Sequence, residues 1–188
     1  MEPLEASVRA LLDAPLGALP PGRVRPVIQA PAHVLSVPAA EVDPTDAAIV
    51  QLAADLLVTM DASAGCVGLA APQVSVSCRV FCVDVTNHAK TRTCHGRLVL
   101  VNPKLVESSR WEKAREGCLS VPNLTGDVKR ATRVVVCGVT PGTGADVTIE
   151  TDAFEARALQ HELDHIDGLV FLDRVAGAHA VFPRKVYL

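Results

Sequence analysis

Asp152-Ala153-Phe154-Glu155-Ala156-Arg157-Ala158-Leu159-Gln160-His161-Glu162-Leu163-Asp164-His165-Ile166-Asp167-Gly168 carries the most information in the chain. Asp152 is placed to cap a helix, with Glu155 at the reciprocal capping-box position, and Gly168 sits where a left-handed residue would end it. On such a helix His161 and His165 are one turn apart on one face, so two imidazoles can converge on one metal ion. Glu162, next to the first histidine, can stand beside an attacking water and accept its proton, as in metal hydrolases that carry His-Glu-x-x-His. The alternative is a surface helix that happens to carry two histidines. The start and stop signals around the run favour the metal site.

Outward from this helix the chain alternates short apolar runs with breakers. Thr45 or Asp46 can cap an earlier helix reaching to about Met60, because Ile49, Leu52, Ala53, Leu56, Leu57 and Met60 recur near helical spacing. Arg79–Val85 reads as a strand. Further strands are expected at Arg97–Val101, ended by Asn102-Pro103, at Thr132–Val139, ended by Pro141-Gly142, and at Val147–Glu150. The pattern predicts an α+β fold, with antiparallel sheet packed around the late helix that carries the metal motif. Ser7–Leu12 can form a short helix, but Pro20-Pro21-Gly22 breaks any continuation. Residues 1–26 therefore read as an N-terminal extension, and 27–188 as a single catalytic domain.

Composition bounds the function. With 188 residues, 49% hydrophobic and 21% charged, the chain can fill one core. Aromatic residues are only 3% and the formal net charge is −3, so direct nucleic-acid readout is a poor expectation. No segment has the roughly 20 apolar residues that span a bilayer, and the acidic, proline-rich N-terminus resembles neither a signal nor a transit peptide. A cytoplasmic protein with reduced cysteines is expected. Cys78, Cys82 and Cys94, with His88 and His95, match no familiar zinc knuckle and read as packing residues. Cys66 reads the same way.

A catalytic metal site usually has three protein ligands and an open position. Asp164 points away from the two-histidine face, and Asp173 and His179 lack a familiar spacing. Cys118, in Glu116-Gly117-Cys118-Leu119-Ser120, is a candidate thiolate. Glu116 is expected in a structural hydrogen bond, and Arg157 can pair with Glu116 or Glu155 or reach solvent. A cysteine-nucleophile hydrolase, with Cys118 attacking and His161 as base, leaves His165 and Glu162 without a role.

Three runs in order, Gly68-Leu69-Ala70-Ala71-Pro72-Gln73, Glu116–Ser120 and Gln160–His165, make the chain resemble the peptide deformylases. It resembles the bacterial type, with Cys66 where many members have glycine, Ser75-Val76-Ser77 where glycine is common, and an end too near the last motif for a long C-terminal ribosome-binding helix. The resemblance implies that Cys118, His161 and His165 bind a divalent metal, Fe(II) before Zn(II), Ni(II) or Co(II). It implies Glu162 as the base, with Gln73 and the N–H of Leu119 beside the oxyanion. Val67, Gly68, Phe154 and Ala158 become the binding surface for substrate. The implied activity is removal of the N-formyl group from formyl-methionyl peptides and nascent chains by a monomer, with transient ribosome contact. A metallopeptidase, or a binding module without turnover, are the competing readings; Glu162 and Gln73 speak against the module, since holding metal needs neither.

Overall fold

The computed structural model describes residues 19–184, so the helix expected over Ser7–Leu12 lies outside them. Among the described residues, two α-helices, α1 (Ala47–Ala62) and α2 (Ala153–Ile166), and six strands form an α+β fold. The strands are β1 (Gly68–Ala70), β2 (Val80–Val83), β3 (Leu98–Cys118), β4 (Val121–Val139), β5 (Asp146–Asp152) and β6 (Val181–Pro183). They make one antiparallel sheet in the order β1-β2-β3-β4-β5, with β6 added to the first part of β4.

Alternation along β2 explains the layering. Phe81 and Val83 face α2, where they pack with Leu159, Leu163 and Ile166, while Val80 and Cys82 face α1 and pack with Leu52, Leu56 and Met60. A strand buried on both faces must be a continuous apolar run, as Val80–Val83 is. Helix α1 starts where the sequence indicated, with the Asp46 carboxylate accepting from the Ala48 N–H at 2.8 Å. Residues 21–25 lie along α1: the Arg23 N–H and the Arg25 side chain both donate to Asp55, at 2.8 and 2.7 Å.

Three expectations are corrected. Asn102-Pro103 does not end a strand. Asn102 takes φ 50° and produces a bulge, its side chain both donating to and accepting from the Val42 backbone, and β3 continues to Cys118. β4 begins at Val121 rather than Thr132, so a long hairpin joins the two. Finally, Asp152 and Glu155 form no capping box. Asp152 accepts from Thr93, and Glu155 accepts from the His95 N–H and from Thr151. Those bonds pin the segment between β2 and β3 onto the start of α2.

The end of α2 follows the sequence. Gly168 takes φ +76°, and the Leu169 N–H returns to the Asp164 carbonyl at 2.8 Å in a Schellman arrangement. A side chain at 168 would also collide with the Val37 backbone.

Candidate metal centre and active site

The β3–β4 hairpin packs against α2. Cys118 ends β3, and His161 and His165 project from one face of α2, their rings 5.0 Å apart and nearly perpendicular. The three ligand atoms lie within 4.8 Å of one another, with Cys118 Sγ 3.2 Å from His165 Nε2. Two donors on a tetrahedral ion are separated by about 3.5 Å, so the set fits a divalent cation with one sulfur and two nitrogen ligands. Burial alone would raise the Cys118 thiol, but the two histidines outweigh it and hold the group well below the ordinary thiol range. A thiolate is the form that binds metal.

Of the two histidines, His161 is oriented by a partner, whereas His165 Nδ1 is buried without one among the described residues. His161 Nδ1 lies 3.0 Å from the Glu116 carboxylate, which turns Nε2 toward the other ligands. Glu116 is buried and held by two arginines. Arg130 donates to both of its oxygens, at 2.8 and 2.9 Å, and Arg157 donates at 2.7 Å. Arg130 continues to Asp164, which Arg174 also clasps. The sequence leaves Arg157 open between Glu116, Glu155 and solvent; the geometry selects Glu116. Asp164 takes no part in the ligand set and belongs to this ion-pair chain.

Glu162 is 3% exposed, and its Oε2 has no hydrogen-bond partner among the described residues. Burial pushes its carboxyl up to about 7, against the pull of His161 and His165. A carboxyl of that pKa beside a cation site is suited to carry a proton both ways near neutral pH. Opposite it stands Gly68 on β1, where an added side chain would overlap the Glu162 carboxylate. Gly68→Ala is therefore expected to lower turnover at least about tenfold while leaving the fold intact, readable as kcat/KM beside a thermal melt.

Gln73 is held by its own turn. Its Oε1 accepts from the Ala70 N–H at 2.9 Å, leaving Nε2 directed at Cys118 Sγ, 3.4 Å away, and at Ser120 Oγ, 3.2 Å away. A cavity of about 420 Å³ opens over these groups. Val67, Gly68, Gln73, Cys118, Leu119, Phe154, Ala158, His161 and Glu162 all line it. Of the residues expected as metal ligands, base, oxyanion donors or pocket wall, His165 alone lies behind the lining, fully buried.

The descriptors of the polypeptide deformylase family match residues 24–180. The chain belongs to this family. A peptide deformylase of Desulforudis audaxviator is 41% identical over 160 residues, which is 85% of this chain and 96% of that one. Peptide deformylase 1 of Bacillus subtilis is 39% identical, covering 81% and 91% of the two chains. Among solved structures, the Met-Ala-Ser-bound class I type b peptide deformylase of Acinetobacter baumannii superposes with a TM-score of 0.72 at 36% identity, covering 81% and 98%. Deformylases are metal-dependent hydrolases that remove the N-formyl group from nascent peptides, and this chain is a member with a Cys/His/His site that could hold the metal.

Several parts of the site were not read from the sequence. Arg130 and Arg174 were missed, because nothing local separates Arg130 from Arg133 three residues on, and Ser120, read only within its motif, was given no role although its hydroxyl and N–H meet Gln73 and Cys118. His88 stacks on Phe154 with ring centroids 3.5 Å apart, forming a cavity wall. His95 pairs with Glu155, Cys94 is exposed, and Cys78 and Cys82 are buried in the core, so these residues do not gather at one point.

Proposed function

We propose that Cys118, His161 and His165 hold one divalent cation, Fe(II) in the cell, and that Glu162 is the base which hydrolyses the formyl amide of N-formylmethionyl peptides. The observation that carries the reading is the buried, unpartnered Glu162 oxygen set between the ligand trio and the glycine edge of β1. The bound cation supplies the positive charge that makes a water proton acidic near neutral pH and polarises the formyl carbonyl. Glu162 takes the proton from the attacking water and passes it to the departing amine. One C–O bond forms and one C–N bond breaks, releasing formate and a free N-terminal methionine. Gln73 Nε2 and the Leu119 N–H donate to the oxygen as charge develops on it. β1 is an edge strand, so its outer side, bare at Gly68, can take the substrate backbone as an added strand. Val67, Phe154 and Ala158 wall the space for the methionine side chain.

The donor set accepts Fe(II), Zn(II), Ni(II) or Co(II), and the family resemblance favours iron. The same reading treats residues 1–26 as an extension and 27–188 as the catalytic domain of a cytoplasmic monomer that meets nascent chains at the ribosome. Among the described residues no helix is long and apolar enough to cross a membrane.

The test compares formyl-Met-Ala-Ser with acetyl-Met-Ala-Ser and a longer blocked peptide, using protein purified with and without oxygen. The expected result is cleavage of the formyl group alone, higher in the anaerobic preparation, since an iron–thiolate site is open to oxidation. Hydrolysis of an internal peptide bond would favour a metallopeptidase. Equal activity with only zinc present would overturn the choice of iron.

A further inference from the structure

The charges around the cavity are unevenly matched. Of the cations that line it, Arg157 is paired with Glu116, and Arg115 donates to Asp127 at 2.7 Å while lying over the Phe182 ring. The other two, Lys90 and Arg184, have no carboxylate within 4.0 Å among the described residues. Arg184 is placed by strand pairing, and Lys90, itself exposed, lies on a segment tied to the start of α2.

Arg184 follows β6, whose pairing with Leu124–Gly126 is extended by the Arg184 N–H donating to the Asn123 carbonyl at 2.9 Å. Its guanidinium lies over Gly117, where any side chain would run into Nη2. Gly117 sits in the ladder opposite Thr125 and is not among the glycines with positive φ, so the position uses the missing side chain rather than an unusual backbone. Lys90 belongs to the segment pinned by Thr93 to Asp152 and by His95 to Glu155, and stacked through His88 on Phe154. A second groove of about 560 Å³ shares Lys90, Phe154 and Arg157 with the cavity and adds Arg92, Arg110 and Arg133, the last paired with Glu150, against Glu112 and Asp152. A small excess of positive charge therefore continues from the cavity into this groove.

We propose that the cleft selects peptides bearing a carboxylate side chain shortly after the formyl-methionyl residue, with Arg184 and Lys90 as the recognising cations. The proposal rests on the deformylase reading of the site and adds a substrate class to it. An unpaired guanidinium and ammonium at a low-dielectric cleft attract an anionic group and raise its encounter rate. Salt weakens the effect, because the Debye length shrinks from about 30 Å at 0.01 M to about 3 Å at 1 M.

The experiment measures formate release from C-terminally amidated formyl-Met-Ala-Glu, formyl-Met-Ala-Ser and formyl-Met-Ala-Lys at low and high salt. The metal-loaded full chain is used, with Arg184→Glu and Lys90→Glu alongside. The readout is the ratio of kcat/KM for the Glu and Lys peptides within each protein. Two partly exposed ion pairs give an expected ratio of about five to ten in wild type at low salt. That ratio should collapse toward one at high salt, and it should invert in Arg184→Glu and fall in Lys90→Glu. Formate from all three peptides with a flat ratio in wild type overturns the inference and leaves the deformylase reading standing. A wild-type preference that survives both charge reversals overturns the assignment to these residues. No formate from any peptide overturns the reading of the site and this inference with it.

Discussion

Replacing Glu162 with Gln is expected to lower kcat on formyl-Met-Ala-Ser by about 10³-fold, within the usual range for loss of a general acid–base group, while metal content stays at the wild-type level. The amide keeps the shape of the side chain but cannot take the proton of the attacking water. Metal analysis of the variant separates this outcome from damage to Cys118, His161 or His165, and unchanged turnover would remove Glu162 from the role of base. The same variant tests the buried carboxyl in metal-free protein. Burial raises Glu162 from an ordinary value of 4.5 to about 7, so the folded chain binds more protons than the unfolded chain between those values. Stability of the metal-free wild type must then fall as pH rises through that window. Gln carries no such charge. Metal-free Glu162→Gln should therefore melt above metal-free wild type at pH 8, and the difference should close as the pH is lowered toward 4.5.

Replacing Glu116 with Leu is expected to have the largest effect on stability. Arg130 and Arg157 are both buried against this carboxylate, and removing one partner of a buried pair costs about 3–5 kcal/mol. For a domain of this size that corresponds to a melting temperature lower by on the order of 10 °C. His161 Nδ1 loses its acceptor at the same time, so metal affinity should drop about 10- to 100-fold, as is usual when the group that orients a metal-binding histidine is removed. Chelator competition reads the second effect independently of the melt. Glu116→Gln keeps one acceptor oxygen and should fall between. Glu150→Gln, which breaks the exposed pair with Arg133, should change stability by less than about 1 kcal/mol. Equal effects at 116 and 150 would mean that burial of the Glu116 network contributes nothing.

The parts of the fold legible in the sequence are those where one element states its own environment. The spacing in α1, the doubly buried run of β2, and the i, i+4 histidines with a terminating glycine each carry a local physical reason. The hairpin of β3 and β4 does not. Residues 104–113 are exposed on both faces, so no alternation marks them, and Asn102-Pro103 looks like a stop because its tie to the Val42 backbone spans 60 residues. The same limit explains the capping box. Asp152 and Glu155 are the right residues at the right spacing, but Thr93 and His95, about 60 positions earlier, occupy their oxygens. In the candidate site, His161, His165 and the adjacent Glu162 stand out by their helical spacing, while Cys118, about 40 residues earlier, is a candidate whose place beside them comes from the family resemblance. The arginines that hold Glu116 and Asp164 in place could not be read, since Arg130 and Arg174 reach their partners only through the pairing of strands.

The most direct test of the site is formate release from formyl-Met-Ala-Ser by protein purified without oxygen, with metal content determined on the same sample. The expected result is rapid release with about one divalent ion per chain, and loss of both when Cys118 is replaced by Ala. A preparation with about one ion per chain that releases no formate would contradict the account, leaving Cys118, His161 and His165 as a metal site without the hydrolysis that Glu162 and Gln73 are placed to perform.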